Sequence, residues 1–337
     1  MKIIVAGGCG FVGSNLSIFL KKYGHDVISV DNLQRKGSIL NLKRIKSNRI
    51  KNYKIDLSNS KKINLLPKTQ LIIDCCAEPS VEASRIKFDS VFNSNLISTK
   101  NLLIKCVNDD AKIIFISTSR VFSIKALNNL KKNINKKVKK KIDMNFDISS
   151  PKSLYGYTKL ASEDLIKEFS YNYNIKYIIN RFGVISGPWQ FGKVDQGFMS
   201  LFMWKFLNKK KLKFIGYGGS GKQERDVIHI DDFCKLINLQ INSLKKIYNK
   251  SFTVGGGASN TVSLNDVYKI CHKLTNFKPK IIRIKKTSIY DIPYYKTCNK
   301  EVYKTYKWKV SKNVKEILYD IFLWQKKNYK KLKKYIK

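Results

Sequence analysis

A tyrosine and a lysine four residues apart could together move a proton. Tyr155 and Lys159 lie at the start of a predicted helix over residues 154–169, where this spacing puts both side chains on one face. A phenol with a pKa of about 10 is a poor base at neutral pH, but a nearby ammonium group favours the phenolate. The pair could therefore act as a general base on a hydroxyl group, although the same spacing also arises by chance on amphipathic helices.

Hydroxyl side chains at the end of a predicted strand could supply a third group. The strand, residues 112–116, leads into Ser117, Thr118 and Ser119. A hydroxyl at the ligand-binding edge of a sheet can hold the alcohol whose proton the phenolate removes. Tyrosine, lysine and a strand-end hydroxyl together predict an acid–base site that acts on one alcohol group.

A glycine-rich turn near the start of the chain predicts that this site includes a dinucleotide. Residues 2–6 have the β-branched pattern of a buried strand, and Gly7, Gly10 and Gly13 lead from it into a helix. This arrangement directs backbone N–H groups and the positive end of a helix dipole at a phosphate. Glycine also lets the backbone approach a pyrophosphate closely. Glycines occur in ordinary strand–helix turns too, so the triplet alone is a weak indication.

An acidic residue after the second predicted strand favours NAD over NADP. Residues 27–30 form a second apolar run that ends at Asp31. A carboxylate there can accept hydrogen bonds from both hydroxyls of an adenosine ribose, and it would repel a 2′-phosphate. We therefore predict NAD as the cofactor. Arg35 and Lys36 are the nearby residues that would favour NADP instead.

The order of predicted elements indicates an α/β protein with a doubly wound parallel sheet, that is, a Rossmann fold. Strands alternate with helices over the first half of the chain, and the length of 337 residues leaves room for a smaller lobe. We predict a dinucleotide-binding domain over residues 1–182, which also receives roughly residues 226–250. Residues 183–337 form mainly a mixed α/β substrate-binding lobe that begins in Gly- and aromatic-rich loops. Helices are expected at 91–107, 154–169, 232–244, 264–274 and 313–329.

The strong positive charge allows two interpretations. The chain has 66 Lys and Arg against 24 Asp and Glu, a net charge of +42. A polyanionic partner, nucleic acid or an anionic membrane surface, would account for it. Compositional drift would too, because Lys, Ile and Asn are all over-used and the lysines are spread over every predicted helix. We favour drift and predict no nucleic-acid partner. The lysine run over residues 131–141 is then a solvated insertion, and residues 324–337 are the solvated end of a packed helix.

Other features of the sequence point to a cytoplasmic protein without a metal site. The seven cysteines are scattered and lack the paired spacing of metal ligands, which is typical of free thiols in a reducing compartment. No stretch has the apolar length of a membrane span, and Met1 leads directly into the first strand, so we expect no signal peptide. His229, just before an acidic helix start, is predicted to be a structural histidine.

Taken in order, these motifs resemble the extended short-chain dehydrogenase/reductase superfamily, which includes nucleotide-sugar epimerases, dehydratases and reductases. The resemblance covers essentially the full length of the chain. It implies that Thr118 is the catalytic Ser/Thr, Tyr155 the base and Lys159 the lysine that holds the nicotinamide ribose. It also implies that Arg225 grips the substrate diphosphate. The further motifs that carry it are Asp31-Asn-Leu, Asn95, Arg181-Phe-Gly, Arg225-Asp-Val-Ile-His-Ile-Asp-Asp232 and Val254-Gly-Gly-Gly257.

The same resemblance implies which residues contact the ligands. The implied substrate contacts are Ser80, Gln190, Gln196 and Arg225. The implied cofactor contacts are Gly7, Gly10, Phe11, Val12, Gly13, Asp31, Asn32, Asp56, Leu57, Ala77, Asn95, Ser117, Tyr155 and Lys159.

Within the superfamily, four stretches are most similar to the CDP-paratose 2-epimerases. They are residues 31–37, the long insertion before Tyr155, residues 187–192 with 195–197, and residues 257–264. This similarity implies a CDP-sugar substrate inverted at C2, a homo-oligomer, and a role in O-antigen or lipopolysaccharide biosynthesis.

Departures from the family pattern leave the sugar open. The family has Asn-Lys after the catalytic threonine where this chain has Ser119-Arg120, and Tyr-Gly where it has Phe122-Ser123. Asp291-Ile-Pro-Tyr294 lacks a family arginine, and Cys298 replaces a family aspartate.

The lack of acidic residues directly after Thr118 argues against a dehydratase. The 4,6-dehydratases of this superfamily place an Asp and a Glu directly after the catalytic threonine, whereas here Ser119 and Arg120 follow it. Neither can remove a carbon-bound proton at neutral pH. The remaining alternatives are a UDP-sugar 4-epimerase, a nucleotide-sugar reductase, and a dinucleotide-sensing protein without activity.

Overall fold

The computed structural model describes residues 1–81, 85–130, 140–194 and 196–336, which form two compact units. The first unit comprises Met1–Val121, Ser153–Arg181 and Cys234–Phe252. The second comprises Phe122–Lys152, Phe182–Phe233 and Thr253–Lys337. Most of the predicted lysine-rich insertion, and Asp195 of the stretch 195–197, lie outside the described residues.

The first unit is built on a seven-stranded sheet in the order β10-β6-β5-β4-β1-β2-β3. Strand β1 pairs in parallel with both β2 and β4, so the chain crosses over next to β1 and winds outward on either side. This confirms the predicted doubly wound parallel sheet. The strands are β1 Lys2–Ala6, β2 Asp26–Val30, β3 Lys51–Tyr53, β4 Leu71–Asp74, β5 Lys112–Thr118, β6 Tyr177–Phe182 and β10 Lys250–Val254.

Helices on this sheet bury one apolar face each. Leu102 and Leu103 of α5 and Ile166 of α7 are fully buried and share a core with Ile72 and Ile113 of the sheet. The single helix predicted over 91–107 is divided into α4, a π-helical turn and α5. The helices are α1 Phe11–Lys22, α2 Ser38–Ser47, α3 Ser60–Ile63, α4 Phe88–Phe92, the π turn Asn93–Ile97, α5 Ser98–Asp109, α7 Leu154–Tyr173 and α9 Ile230–Ser243.

The second unit is a mixed α/β lobe. Its central sheet has the order β11-β9-β13 with β7 also paired to β9, and β12 pairs separately with β8. The strands are β7 Val184–Ser186, β8 Leu212–Ile215, β9 Glu224–His229, β11 Thr261–Ser263, β12 Ile281–Ile284 and β13 Tyr294–Tyr295. The helices are α6 Ile124–Asn129, α8 Phe198–Leu207, α10 Leu264–Thr275, α11 Lys300–Tyr306, α12 Val314–Lys327 and α13 Tyr329–Leu332.

Helix α8 corrects the expectation that this lobe begins in loops alone. Its sequence is apolar on nearly every side, so it has no periodicity that would reveal a helix. It is buried because Met203 and Phe206 of α8 pack against Phe214 of β8 and Ile317 of α12.

The division of the chain also differs from the predicted boundary at residue 182. Phe122–Lys152 belong to the second unit, although they lie between two segments of the first. Their hydrogen bonds account for this, because Ile142 N–H donates to the carbonyl of Lys296 and Cys298 N–H donates to the carbonyl of Ile142, both at 2.8 Å. The late segment of the first unit is Cys234–Phe252, where residues 226–250 were expected.

Three predictions concern features that the chain should lack: disulfide bonds, a metal site and a membrane span. All seven cysteines are free thiols. Within the described ranges, no cluster of His, Cys, Asp and Glu could hold a metal ion. No helix in the part of the chain that the structure describes is long and apolar enough to cross a membrane.

Candidate active site

The glycine turn is shaped to receive a phosphate. Gly7 has a φ of +69°, and a Cβ on Gly13 would lie 2.2 Å from the carbonyl oxygen of Gly7, so both positions require glycine. Gly10 is the N-cap of α1 and offers no side chain to the first N–H groups of that helix, which include those of Phe11 and Val12. A Cβ on Gly10 would meet only the Gly7 carbonyl, at 3.1 Å. The turn therefore presents open backbone donors that fit a pyrophosphate.

Asp31 lies beside this turn at the end of β2. Its carboxylate accepts hydrogen bonds from the N–H groups of Cys9 at 3.0 Å and Leu33 at 2.8 Å. Burial raises the pKa of Asp31 above its usual value, and these N–H groups oppose that shift. Asn32 Nδ2 donates to the Asp56 carboxylate at 3.2 Å, which joins the loops after β2 and β3.

Arg35, which would favour NADP if it were available for a 2′-phosphate, is paired with Glu78. Its Nη2 lies 2.9 Å from Glu78 Oε1.

Several residues that were predicted to contact the cofactor instead pack in the core or form hydrogen bonds with other residues of the protein. Leu57 packs in the core, and its carbonyl accepts a hydrogen bond from Asn101. Asn95 accepts from the Glu78 N–H at 2.8 Å and donates to Thr158 Oγ1 at 3.0 Å. It therefore fixes the loop after β4, which also carries Ala77 and Ser80, to helix α7.

Thr118 and Tyr155 lie close together in the first unit. Thr118 is the last residue of β5, and Tyr155 lies in the first turn of α7, whose N-cap Ser153 accepts a hydrogen bond from Gly156 N–H. The Thr118 hydroxyl is close enough to Tyr155 to act on its pKa. Burial raises the pKa of Tyr155, and the Thr118 hydroxyl acts in the opposite direction.

Two arginines also act on this tyrosine. The positive charges of Arg120 and Arg35 lower the pKa of Tyr155, while the negative charge of Glu78 raises it. Arg120 N–H donates to Thr118 Oγ1 at 3.2 Å.

Lys159 lies one helical turn beyond Tyr155 and is almost fully buried. Its Nζ lies 3.8 Å from the centre of the Phe115 ring and has no hydrogen-bond partner among the described residues. Burial lowers the pKa of Lys159, and the carboxylate of Asp74 opposes this shift. A buried ammonium group with unused donors fits the ribose hydroxyls of a bound dinucleotide.

A buried ion pair behind these residues was not foreseen. Arg181 donates to the Glu163 carboxylate through Nε and Nη2, at 2.8–3.1 Å, and both side chains are almost completely buried. The hydroxyl of Ser117, predicted to contact the cofactor, donates to Glu163 instead. The only signal in the sequence is that Glu163 follows Lys159 by four residues on the same helix.

In the second unit, two predicted substrate residues have internal partners. Gln190 donates to the carbonyl of Ile185 at 3.2 Å and accepts from Ser186 Oγ at 2.8 Å. Arg225 Nη2 donates to Asp291 Oδ1 at 2.8 Å.

Gln196 and His229 form hydrogen bonds with residues close to them in the chain of the second unit. Gln196 and Lys193 exchange backbone hydrogen bonds in a tight turn. His229 is buried, and its Nδ1 accepts from the Asp231 N–H at 3.0 Å.

A family model identifies the class of protein to which this fold and site belong. The model of the NAD dependent epimerase/dehydratase family matches residues 3–255. The chain belongs to this family of enzymes, which confirms the predicted superfamily and the predicted cofactor, NAD.

Individual relatives are similar along most of the chain. CDP-paratose 2-epimerase of Salmonella typhi is 29% identical over 294 residues, which cover 82% of this chain and 85% of the relative. UDP-glucuronate 4-epimerase of Thermodesulfobacterium geofontis is 28% identical over 287 residues, 82% of this chain and 81% of the relative. The solved structure of UDP-glucuronic acid 4-epimerase from Bacillus cereus, in complex with UDP-glucuronic acid and NAD, has a TM-score of 0.85 at 23% identity. It covers 98% of this chain and 100% of that chain, and the likeness shows the shared fold.

Proposed function

We propose that this chain is an isomerase, an NAD-dependent nucleotide-sugar epimerase that oxidises a sugar alcohol to a ketone and reduces the ketone from its other face. The observation that carries the proposal is the grouping of Thr118 at the end of β5, Tyr155 in the first turn of α7 and the buried Lys159 one turn further along α7. A phenol near a hydroxyl and an ammonium group can take a proton from an alcohol and give it back.

The chain's own residues supply binding and proton transfer. Residues 7–13 would hold the pyrophosphate of NAD, Asp31 its adenosine ribose and Lys159 its nicotinamide ribose. Bound NAD supplies a hydride acceptor that later returns the same hydride to the sugar carbon. Tyr155 takes the proton of the sugar hydroxyl as the carbon–hydrogen bond breaks, and Thr118 orients that hydroxyl. In the reverse half-reaction Tyr155 returns the proton to the ketone oxygen, so protons and electrons balance over the cycle.

For the substrate, we propose a CDP-3,6-dideoxyhexose inverted at C2, the conversion of CDP-paratose to CDP-tyvelose. The Salmonella typhi relative bears that activity in its name, and residues 31–37, 187–192 and 257–264 are similar to the same subfamily. This substrate would give the enzyme a role in O-antigen or lipopolysaccharide biosynthesis. The free thiols are consistent with a cytoplasmic location. We further propose that the chain forms a homo-oligomer.

The second candidate is a UDP-sugar 4-epimerase. A relative with a UDP-glucuronate 4-epimerase name is 28% identical and also covers 82% of the chain, so sequence similarity separates the two substrates only slightly. A nucleotide-sugar reductase on this fold would consume reduced cofactor with each turnover, whereas an epimerase would not. A sensing protein without activity would have no need for the Tyr155, Thr118 and Lys159 arrangement.

One experiment tests cofactor and substrate in sequence. The purified protein is denatured and the released cofactor is identified, and CDP- and UDP-sugars are then incubated with native protein and followed by NMR. We expect release of NAD and inversion of a CDP-sugar without net cofactor consumption. Release of NADP would contradict the role of Asp31, and stoichiometric consumption of reduced cofactor would indicate a reductase.

The substitution Tyr155→Phe tests the proposed base. Removing the hydroxyl should lower turnover by about 10³-fold, since general acid–base catalysis contributes about 10²–10⁴-fold. Bound NAD should remain, because the glycine turn and Asp31 are untouched. Tyr157→Phe is the matched control, as Tyr157 is an exposed tyrosine on the same helix and should leave turnover unchanged. Wild-type turnover in Tyr155→Phe would refute the assignment.

A further inference from the structure

Two loops of the first unit, which follow the strands on either side of β1, are joined by an ion pair. Arg35 follows β2 and Glu78 follows β4, and Arg35 Nη2 lies 2.9 Å from Glu78 Oε1. In the sheet, β1 lies between β2 and β4, and the glycine turn, residues 7–13, follows β1 at the same carboxyl edge. Neighbouring strands are about 4.8 Å apart, so the loops that carry Arg35 and Glu78 start about two strand spacings apart, on either side of β1.

Both ends of this bridge are anchored to residues of the site. The Glu78 N–H donates to Asn95, and Asn95 in turn donates to Thr158, which lies between Tyr155 and Lys159 on α7. On the other side, the loop that carries Arg35 begins at Asp31, whose carboxylate accepts the N–H of Leu33. The bridge therefore connects the proposed adenosine-ribose site to the helix that carries the proposed base.

The exposure of the pair argues against a role in folding stability. The side chain of Arg35 is 39% exposed and that of Glu78 is 23% exposed. Ion pairs this accessible contribute little to the stability of a fold. A carboxylate next to a phosphate-binding turn would also repel a bound pyrophosphate unless a cation accompanied it. A function in holding the cofactor explains both the position and the pairing.

We propose that Arg35 and Glu78 form a clasp that closes over the pyrophosphate-binding turn and slows the escape of NAD. The proposal rests on the proposed function, because an epimerase must keep the same cofactor through oxidation and reduction. Association and dissociation of NAD can nevertheless be measured without any sugar, so the two proposals can fail independently.

The test compares whether two charge-removing substitutions raise or lower the dissociation rate of NAD. Arg35→Gln and Glu78→Gln are made in the full chain, and the dissociation rate of bound NAD is measured by chasing it with excess isotope-labelled NAD. A clasp predicts that both substitutions speed dissociation, by about fivefold each, because either one opens the same bridge. If the two groups act only as separate charges near the pyrophosphate, Arg35→Gln should speed dissociation and Glu78→Gln should slow it. That opposite response would overturn the proposal.

Two further variants distinguish a clasp from a general effect of positive charge on NAD binding. The exchanged pair Arg35→Glu with Glu78→Arg should return the dissociation rate towards that of the wild type. Lys36→Gln removes the same charge from the exposed neighbouring residue and should leave the rate unchanged. An equal effect of Lys36→Gln and Arg35→Gln would refute the clasp in favour of a general field effect. A protein that holds NAD through the clasp but inverts no sugar would refute only the proposed function.

Discussion

Arg120 is one of two residues that distinguish this chain from the dehydratases by their chemistry. It occupies a slot where dehydratases carry a carboxylate, and its N–H bonds to Thr118. Burial raises the pKa of Tyr155, while the Thr118 hydroxyl and the charges of Arg120 and Arg35 lower it. A cation in place of a carboxylate leaves no base for carbon-bound protons at this position, and it favours the phenolate form of the proposed base, Tyr155.

The pH profile of Arg120→Gln tests this role. The proposed base, Tyr155, would act when deprotonated, so kcat/KM should rise with pH through the pKa of its hydroxyl. Loss of the Arg120 charge removes an effect that lowers this pKa, so the acidic limb of the profile should move to higher pH. Arg120→Lys keeps the charge and should leave the limb near its wild-type position. If the acidic limb of the Arg120→Gln profile stays at its wild-type pH, the Arg120 charge does not affect the pKa of Tyr155.

At the scale of elements, one buried carboxylate joins three parts of the Rossmann unit. Glu163 of α7 binds Arg181 of β6 and accepts from Ser117 of β5. Thr118 directly follows Ser117, and Lys159 lies one turn before Glu163. The cluster therefore fixes the strand end and the helix that carry the proposed catalytic groups.

Glu163→Gln should destabilise the fold by about 3 kcal/mol, because it leaves the Arg181 guanidinium buried without its counter-charge. Urea unfolding of the protein freed of cofactor measures this loss. Asp164→Asn, which breaks an exposed pair with Lys167, should change stability by about 0.5 kcal/mol or less. The double variant Glu163→Leu with Arg181→Leu should be more stable than Glu163→Gln alone. The reverse order would mean that the unpaired Arg181 charge is not the cause of the loss.

The sequence was informative where a local pattern determines the structure. The periodic helices at 264–274 and 313–329 match α10 Leu264–Thr275 and α12 Val314–Lys327 closely, and both begin at a capping box. Helix α8 was missed because a helix buried on all sides has no polar face.

The sequence also predicted some features of the site and missed others. The positions of Thr118 at a strand end and of Tyr155 at a helix start could be predicted from residue type and spacing along the chain. The pairs formed by Glu163 with Arg181 and by Arg35 with Glu78 could not, because an ion pair between distant residues leaves no periodic signal in one sequence.

At the scale of the whole molecule, the net charge of +42 still needs an account. Exposed lysines occur on helices of both units, for example Lys43 and Lys46 on α2, Lys273 on α10 and Lys315 on α12. Charge distributed in this way raises the local concentration of any anion, including a nucleotide sugar, without defining a groove for a nucleic acid.

This interpretation predicts weak, salt-sensitive attraction to DNA. Duplexes of two unrelated sequences, titrated by fluorescence anisotropy, should bind equally at about 50 mM salt and lose roughly 10³-fold or more in affinity by about 200 mM salt. Such a steep loss follows from the release of condensed counterions, which any widely distributed positive surface produces. NAD content should stay the same at both salt concentrations, which shows that the protein remains folded throughout. Affinity that survives at 200 mM salt, or that differs between the two sequences, would instead indicate a real nucleic-acid partner and would contradict compositional drift as the origin of the charge.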